Sequence, residues 1–358
     1  MSWPPFIIVV GSGGVGKTTL ASALGFAAAE QGLKTLVMTF DPSLRLRDSL
    51  GVTPSGELEV EVPIETRGGL WASLLDARTT FDRLVRRYAP DEASRDRILD
   101  NPYYHHLRGS LAGILEYMAV ERLFEVAEEG LYDQVILDTP PTKQALDFLE
   151  APQRIVGFLD SGALKIAQRS WFDSAGRLRP AATLGPLGGR LESFLDEVVG
   201  LALLRDMVEF FQAFAPLFQG FRKRAIEVEE LLSSRRTGFL LVAAPGSDPI
   251  PDTLFFARRL GQAGHKLLAI GVNRLHPEIA SGVTAPGGSV AQGRRILERL
   301  SRRDHRGLSE LRELAAGIPV GGVPLLEGEP SSLEEIRAVA ELLVEALPVD
   351  FAAVRNNP

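Results

Sequence analysis

The sequence predicts an α/β protein: a doubly wound, mostly parallel sheet with a helical subdomain inserted between two of its strands. Three observations carry that expectation. Short, continuous apolar runs recur along the chain, separated by segments with helical spacing. The first run ends in a glycine-rich turn that leads directly into a helical pattern. The stretch from 155 to 235 breaks the alternation and contains no strand-like run.

The elements follow in order. FIIVV (6–10) ends at Gly11, as a strand buried on both faces should. A helical pattern runs from Lys17 to Gln31 and is closed by Gly32. KTLVMTF (34–40), LWASLLD from Leu70, QVILD (134–138), GFLLVAA (238–244), KLLAIGVN (266–273) and VGGVPLL (320–326) continue the strands. Helical segments are expected at 113–129, 252–262, 306–316 and 333–346. Ser331 and Ser332 stand ahead of Glu334 and Glu335 in a capping-box arrangement that opens the last of them. Residues 282–293 (GVTAPGGSVAQG) read as a mobile loop. Inside the insert, Leu191, Phe194, Leu195, Val198 and Val199 fall at helical spacing. The chain therefore divides into residues 1–154 and 236–358, two parts of one domain, and the helical subdomain 155–235.

Composition narrows the function. The 358 residues are 45% hydrophobic and 24% charged, too apolar for a disordered chain. Net charge is −7 with both signs interspersed, which argues against nucleic acid as a partner. Arg83, Arg86 and Arg87 read as a solvated helix face. There is no cysteine, so disulfides, thiolate metal sites and a cysteine nucleophile are excluded. No apolar run reaches the roughly 18 residues of a membrane span, and the N-terminus lacks the features of a signal peptide. A cytoplasmic protein without stable membrane insertion is expected.

Gly11-x-x-x-x-Gly16-Lys17-Thr18 is a complete phosphate-binding loop between a strand and a helix. Its residues Gly11, Ser12, Gly13, Gly14, Val15, Gly16, Lys17, Thr18 and Thr19 are the expected nucleotide-binding set. Backbone amides and the helix N-terminus favour phosphate oxygens there. Lys17 is expected on the β- and γ-phosphates of ATP, and Thr18 on Mg²⁺. Asp138 closes the strand QVILD. It reads either as a strand-to-turn aspartate or, beside a phosphate loop, as a holder of Mg²⁺ through water. Asp41 follows the second strand in TFDPSLRLRDSLG and reads either as turn chemistry or as the carboxylate that orients the attacking water.

GSGGVGKTT, TFDPSLRLRDSLG and LDTPPTKQALDFLEAP, in that order and at these separations, resemble the arsenite-pump ATPase (ArsA) family. That family includes the ATPase that delivers tail-anchored membrane proteins. The DTPP segment with ALDFL-x-AP is similar to a bacterial branch that occurs as paired paralogues. The resemblance implies a dimeric, ATP-hydrolysing switch. It places the water-positioning role on Asp41, with Lys17 beside it in catalysis, and puts Asp41 with Thr18 and Asp138 around the metal. It makes Asp48 the close of the first switch segment and Asp138, Thr139, Pro141 and Thr142 the second. It assigns the adenine pocket to Asn273 and to Pro324, Leu325 and Leu326 before Glu327.

Three departures accompany the resemblance. Ser12 replaces the family's signature lysine, which reaches across the dimer to the partner's phosphates. A missing cation of this kind is worth roughly 10³–10⁵ in rate on the scale of arginine fingers. Turnover is therefore expected to be weak, or restored by a paralogous partner or by Arg45, Arg47 or Lys143. Without cysteine, neither a thiolate metalloid site nor a zinc-bridged dimer is available. The insert carries Met207 as its one methionine and is rich in phenylalanine (Phe194, Phe210, Phe211, Phe214, Phe218, Phe221). These side chains pack a subdomain core or dimer contact, or else receive a protein client.

Overall fold

The computed structural model describes residues 3–39, 50, 59–74, 77–102, 104–105, 114–139, 150–154, 156–157, 214, 217–279, 289–328, 330, 332–347, 349–351 and 354. They include eight strands: β1 (Phe6–Gly11), β2 (Thr35–Thr39), β3 (Val60–Glu61), β4 (Leu70–Leu74), β5 (Gln134–Asp138), β6 (Thr237–Ala243), β7 (Leu267–Leu275) and β8 (Val320–Pro324). The helices are α1 (Lys17–Glu30), α2 (Ala77–Tyr88), α3 (Glu92–Leu99), α4 (Ile114–Glu129), α5 (Phe218–Ser233), α6 (Ile250–Gln262), α7 (Ser289–Leu314) and α8 (Leu333–Ala346).

The strands form one sheet in the order β3-β4-β2-β5-β1-β6-β7-β8. Every neighbouring pair is parallel except β3 with β4. The short antiparallel β3 lies at the sheet edge, and its two residues offer too little pattern to be read from sequence. β1 lies between β5 and β6, and the chain leaves β1 to pair β2 on the far side of β5. The carboxyl end of β1 is therefore a topological switch point, where open α/β sheets hold their ligands.

The apolar runs form strands because both faces of the sheet are covered. All six residues of β1, all five of β2 and all five of β5 are buried. Ile7 and Val9 of β1 share a core with Leu20 and Leu24 of α1 and with Ile336, Val339 and Leu343 of α8. The capping box of α8 forms as expected: Glu335 N–H donates to Ser332 Oγ at 3.3 Å, and Ser332 N–H to Glu335 Oε2 at 3.2 Å.

Helix α7 differs in extent from the sequence reading, and α2 and α3 are not among the helical segments it expects. Helix α7 begins at Ser289, so residues 289–293 are helical rather than loop, and the helix expected over 306–316 runs for 26 residues. Its buried side is Ser301, Asp304, Gly307, Leu308 and Leu311. The spacing is helical, but three of the five are not apolar, so hydropathy periodicity does not reveal them. Residues 282–288 lie outside the described residues.

The chain separates into two compact units. The first comprises 1–75, 123–149 and 230–358 and contains the sheet. The second comprises 76–122 and 150–229. Its described core is aromatic: Phe81 stacks on Tyr104 with ring centroids 5.4 Å apart, and Phe214 meets Phe221 edge-on at 4.9 Å. Phe214 and Phe221 are buried, so these two insert phenylalanines pack inward. A buried ion pair, Arg224 Nε to Glu121 Oε1 at 2.7 Å, lies in the same unit, and Tyr117 donates to the Oε2 of Glu121 at 3.2 Å. Burial first, then the carboxylate beside it, pushes the Tyr117 phenol well above its usual range. Arg86 and Arg87 are exposed on α2, as a solvated helix face requires, whereas Arg83 is half-buried with its Nε shielded from solvent. Phe194, Met207, Phe210 and Phe211 lie outside the described residues.

Candidate functional site

The site is built within the first unit, where β1, β5 and β7 end and α1 begins. Gly11 terminates β1 in register with Val242 of β6. A Cβ at Gly11 would overlap the Val242 carbonyl, so the turn out of the strand needs a residue without one. Gly16 precedes α1 with φ 91°, in the left-handed region, and a Cβ there would overlap the side-chain amide of Asn273. At Gly13 and Gly14 a Cβ would meet nothing within 4 Å, so this side of the loop is open.

Lys17 is the first residue of α1 and is buried. Its Nζ donates to the carbonyls of Gly11 and Ser12, both at 3.1 Å. The ammonium thus sits inside the curve of the loop. Thr18 Oγ1 donates to Asp138 Oδ2 at 2.6 Å, and Thr39 Oγ1 donates to the same oxygen at 2.9 Å. Asp138 is buried at the carboxyl end of β5, beside Val9 of β1 and Thr39 of β2 in the ladder. Thr139 follows and anchors to β1, its hydroxyl donating to the Val9 carbonyl at 2.8 Å.

β7 contributes from the other side of β6. Asn273 Nδ2 donates to the Val15 carbonyl at 3.0 Å, and Arg274 Nη1 donates to the Gly14 carbonyl at 3.0 Å. A cavity of about 350 Å³ opens here, with Thr19, Asn273, Pro324, Leu325 and Leu326 among its lining residues. The structure therefore brings all the phosphate-loop residues together with Asp138, Asn273 and the Pro324–Leu326 segment. Thr39 and Arg274 were not legible as site residues. Thr39 is one hydroxyl in a buried strand, and Arg274 follows Asn273 without any motif of its own. Asp41, Arg45, Arg47, Asp48, Pro141, Thr142 and Lys143 lie outside the described residues.

The donor set fits Mg²⁺ and a polyphosphate. A threonine hydroxyl and a carboxylate already hydrogen-bonded to each other are hard oxygen ligands of the kind magnesium takes together with phosphate oxygens. Among the described residues no group of three or more His, Cys, Asp or Glu side chains is placed to hold a metal alone. Tyr104 is buried against Phe81 in the second unit.

The ArsA ATPase family profile, described as an anion-transporting ATPase, matches residues 5–177. Over that segment the chain is similar to the ArsA ATPase family. A putative arsenical pump-driving ATPase of Halobacterium salinarum is 30% identical over 177 residues, covering 44% of this chain and 25% of that protein. An ATPase of Paramecium tetraurelia, ASNA1 homolog 2, is 31% identical over 169 residues, 46% of this chain and 47% of that protein. The chain thus spans a quarter and about half of these two relatives. A putative arsenical pump-driving ATPase 1 of Aquifex aeolicus is 24% identical over 354 residues, 96% of this chain and 80% of that protein. The matched segment covers β1, the phosphate loop, β2 and β5, which carry Lys17, Thr18, Thr39 and Asp138.

Proposed function

We propose that this ArsA-type chain binds and hydrolyses ATP as a dimeric switch, with turnover limited by a cation that its own phosphate loop lacks. The observation that carries this reading is the convergence of the Lys17 ammonium, the N-terminus of α1 and the Thr18–Asp138 pair at one strand–helix junction. Lys17 would pair with the β- and γ-phosphates, and Thr18 and Asp138 would hold Mg²⁺. That ion supplies charge neutralisation on the phosphate oxygens when bound. Asn273, Pro324, Leu325 and Leu326 border a cavity of mixed lining, with apolar Val323 and Val339 beside polar Thr19, Arg274 and Glu327, which suits an adenine ring. Asp41 keeps its proposed role as the residue that orients water and completes the metal surroundings.

Ser12 is exposed and carries no charge. A paralogous partner bearing lysine there would restore the cation in a heterodimer; a self-dimer would turn over slowly. Closure around ATP would move the first switch segment, and the helical insert would pass that motion to a protein client. A cytoplasmic location accords with this scheme, and among the described residues no helix is long and apolar enough to cross a membrane.

Calorimetry with Mg-ATP, followed by turnover assays, tests the reading. The wild-type chain should bind, Lys17→Ala should lose at least about tenfold in affinity, and Ser12→Lys should raise turnover by at least about tenfold. Absence of Mg-ATP uptake overturns it. The exposed Ser12 also favours a second reading, a nucleotide-holding subunit that never turns over. An Asp41→Ala chain that leaves the turnover of a mixed dimer unchanged would support that one.

A further inference from the structure

We infer that Arg274 is a positioning residue: with Asn273, it presets the amides of the phosphate loop for an incoming polyphosphate. This rests on the ATPase reading and goes beyond it, because the resemblance assigns Arg274 nothing.

The argument starts from peptide geometry. Across a trans peptide, the carbonyl of one residue and the N–H of the next point to opposite sides. Arg274 holds the Gly14 carbonyl, which fixes the direction of the Val15 amide. Asn273 holds the Val15 carbonyl, which fixes that of Gly16. Lys17 holds the carbonyls of Gly11 and Ser12, but a polyphosphate would recruit the same ammonium. The grip from β7 does not depend on Lys17. A loop this rich in glycine has much backbone freedom to lose, so a preset loop binds anions at lower entropic cost.

Two further features show that the chain is shaped to place this side chain. Arg274 has φ 64°, one of two described non-glycine residues in the left-handed region. Such a conformation persists only where its surroundings hold it. The ladder between β7 and β8 also breaks register between Val272 and Leu275, so Asn273 and Arg274 sit in an irregularity that turns them out of the sheet pattern. Arg274 also lines the cavity that holds Pro324 and Leu325, so one side chain spans the base side and the phosphate side of the site.

The test measures affinity for Mg-ATP and for magnesium tripolyphosphate, which has phosphates and no base, in the wild type, Arg274→Gly and Arg274→Lys, well below their melting temperatures. Arg274→Gly removes the guanidinium and gives φ 64° to a residue that adopts it freely, so the fold should hold. The expected result is a loss of roughly tenfold for both ligands in Arg274→Gly, partly recovered in Arg274→Lys. Tripolyphosphate affinity unchanged while ATP affinity falls would overturn the proposal and make Arg274 a base contact. Affinities unchanged for both would also overturn it. A wild-type chain that binds neither ligand would remove the ATPase reading first, and this inference with it.

Discussion

The hydroxyl of Thr18 donates to Oδ2 of Asp138 at 2.6 Å across 120 residues of chain. One residue lies in the first turn of α1 and the other closes β5, so the bond ties the phosphate loop to the strand beside it. Thr39, at the end of β2, donates to the same oxygen, and three strand or helix termini thus converge on one carboxylate. Asp138→Asn keeps the shape but loses the charge. We expect it to flatten the magnesium dependence of ATP affinity and to reduce turnover by about a hundredfold or more. A magnesium titration of ATP binding in wild type and variant decides this. Thr39→Val, which removes one donor to a buried carboxylate, should cost about 1–3 kcal/mol in denaturant unfolding.

Gly16 should not tolerate a side chain. At φ 91° an alanine is strained, and its Cβ would meet the Asn273 amide that holds the Val15 carbonyl. Gly16→Ala is expected to lose about 1 kcal/mol or more of stability and to weaken ATP binding. Calorimetry and thermal melts should move together. Unimpaired binding would contradict the close approach seen here.

The second unit offers a test independent of nucleotide. Arg224 and Glu121 are buried together, so removing the arginine alone leaves a buried carboxylate short of its cation. Arg224→Leu should cost about 3–5 kcal/mol, and the double variant Arg224→Leu with Glu121→Leu should cost less. A double-mutant cycle in urea measures the difference. With Glu121→Leu completing the cycle, a double-variant loss equal to the sum of the two single losses would mean that the pair is not coupled.

A pH effect is expected from Asp304, buried on α7. Burial raises its carboxyl, but hydrogen bonds from His276 and Arg303 outweigh that and hold it below the usual value. A carboxylate depressed on folding stabilises fully above its unfolded pKa of about 3.9 and loses that contribution as pH falls through the folded value. Stability in the wild type should therefore drop below about pH 4 more steeply than in Asp304→Asn, which should already be less stable at neutral pH. Melting temperature against pH in both chains checks the slope and its sign.

Which parts of this could be read in advance follows from where the information lies. The glycine-rich loop, the buried strands β1, β2 and β5, and the capping box of α8 are local: each needs only the residue types and spacing within a few positions, and each is present in the structure as expected. Helix α7 escaped because its buried stripe includes Ser301, Asp304 and Gly307, polar or small residues whose burial depends on partners elsewhere in the chain. Thr39 and Arg274 escaped for the same reason. A threonine in a strand and an arginine after an asparagine acquire meaning only when β2 is laid beside β5, and β7 beside β6, at the switch point.

By itself, the amino-acid order determined that a phosphate loop sits between a strand and a helix, that the sheet is mostly parallel, and that Ser12 brings no cation to the loop. Tertiary structure alone decided which carbonyls Lys17, Asn273 and Arg274 grip, and that two threonines share one oxygen of Asp138. The reason is physical: backbone conformation is set by near neighbours, whereas a hydrogen bond between strand termini exists only after the hydrophobic sheet has chosen its strand order.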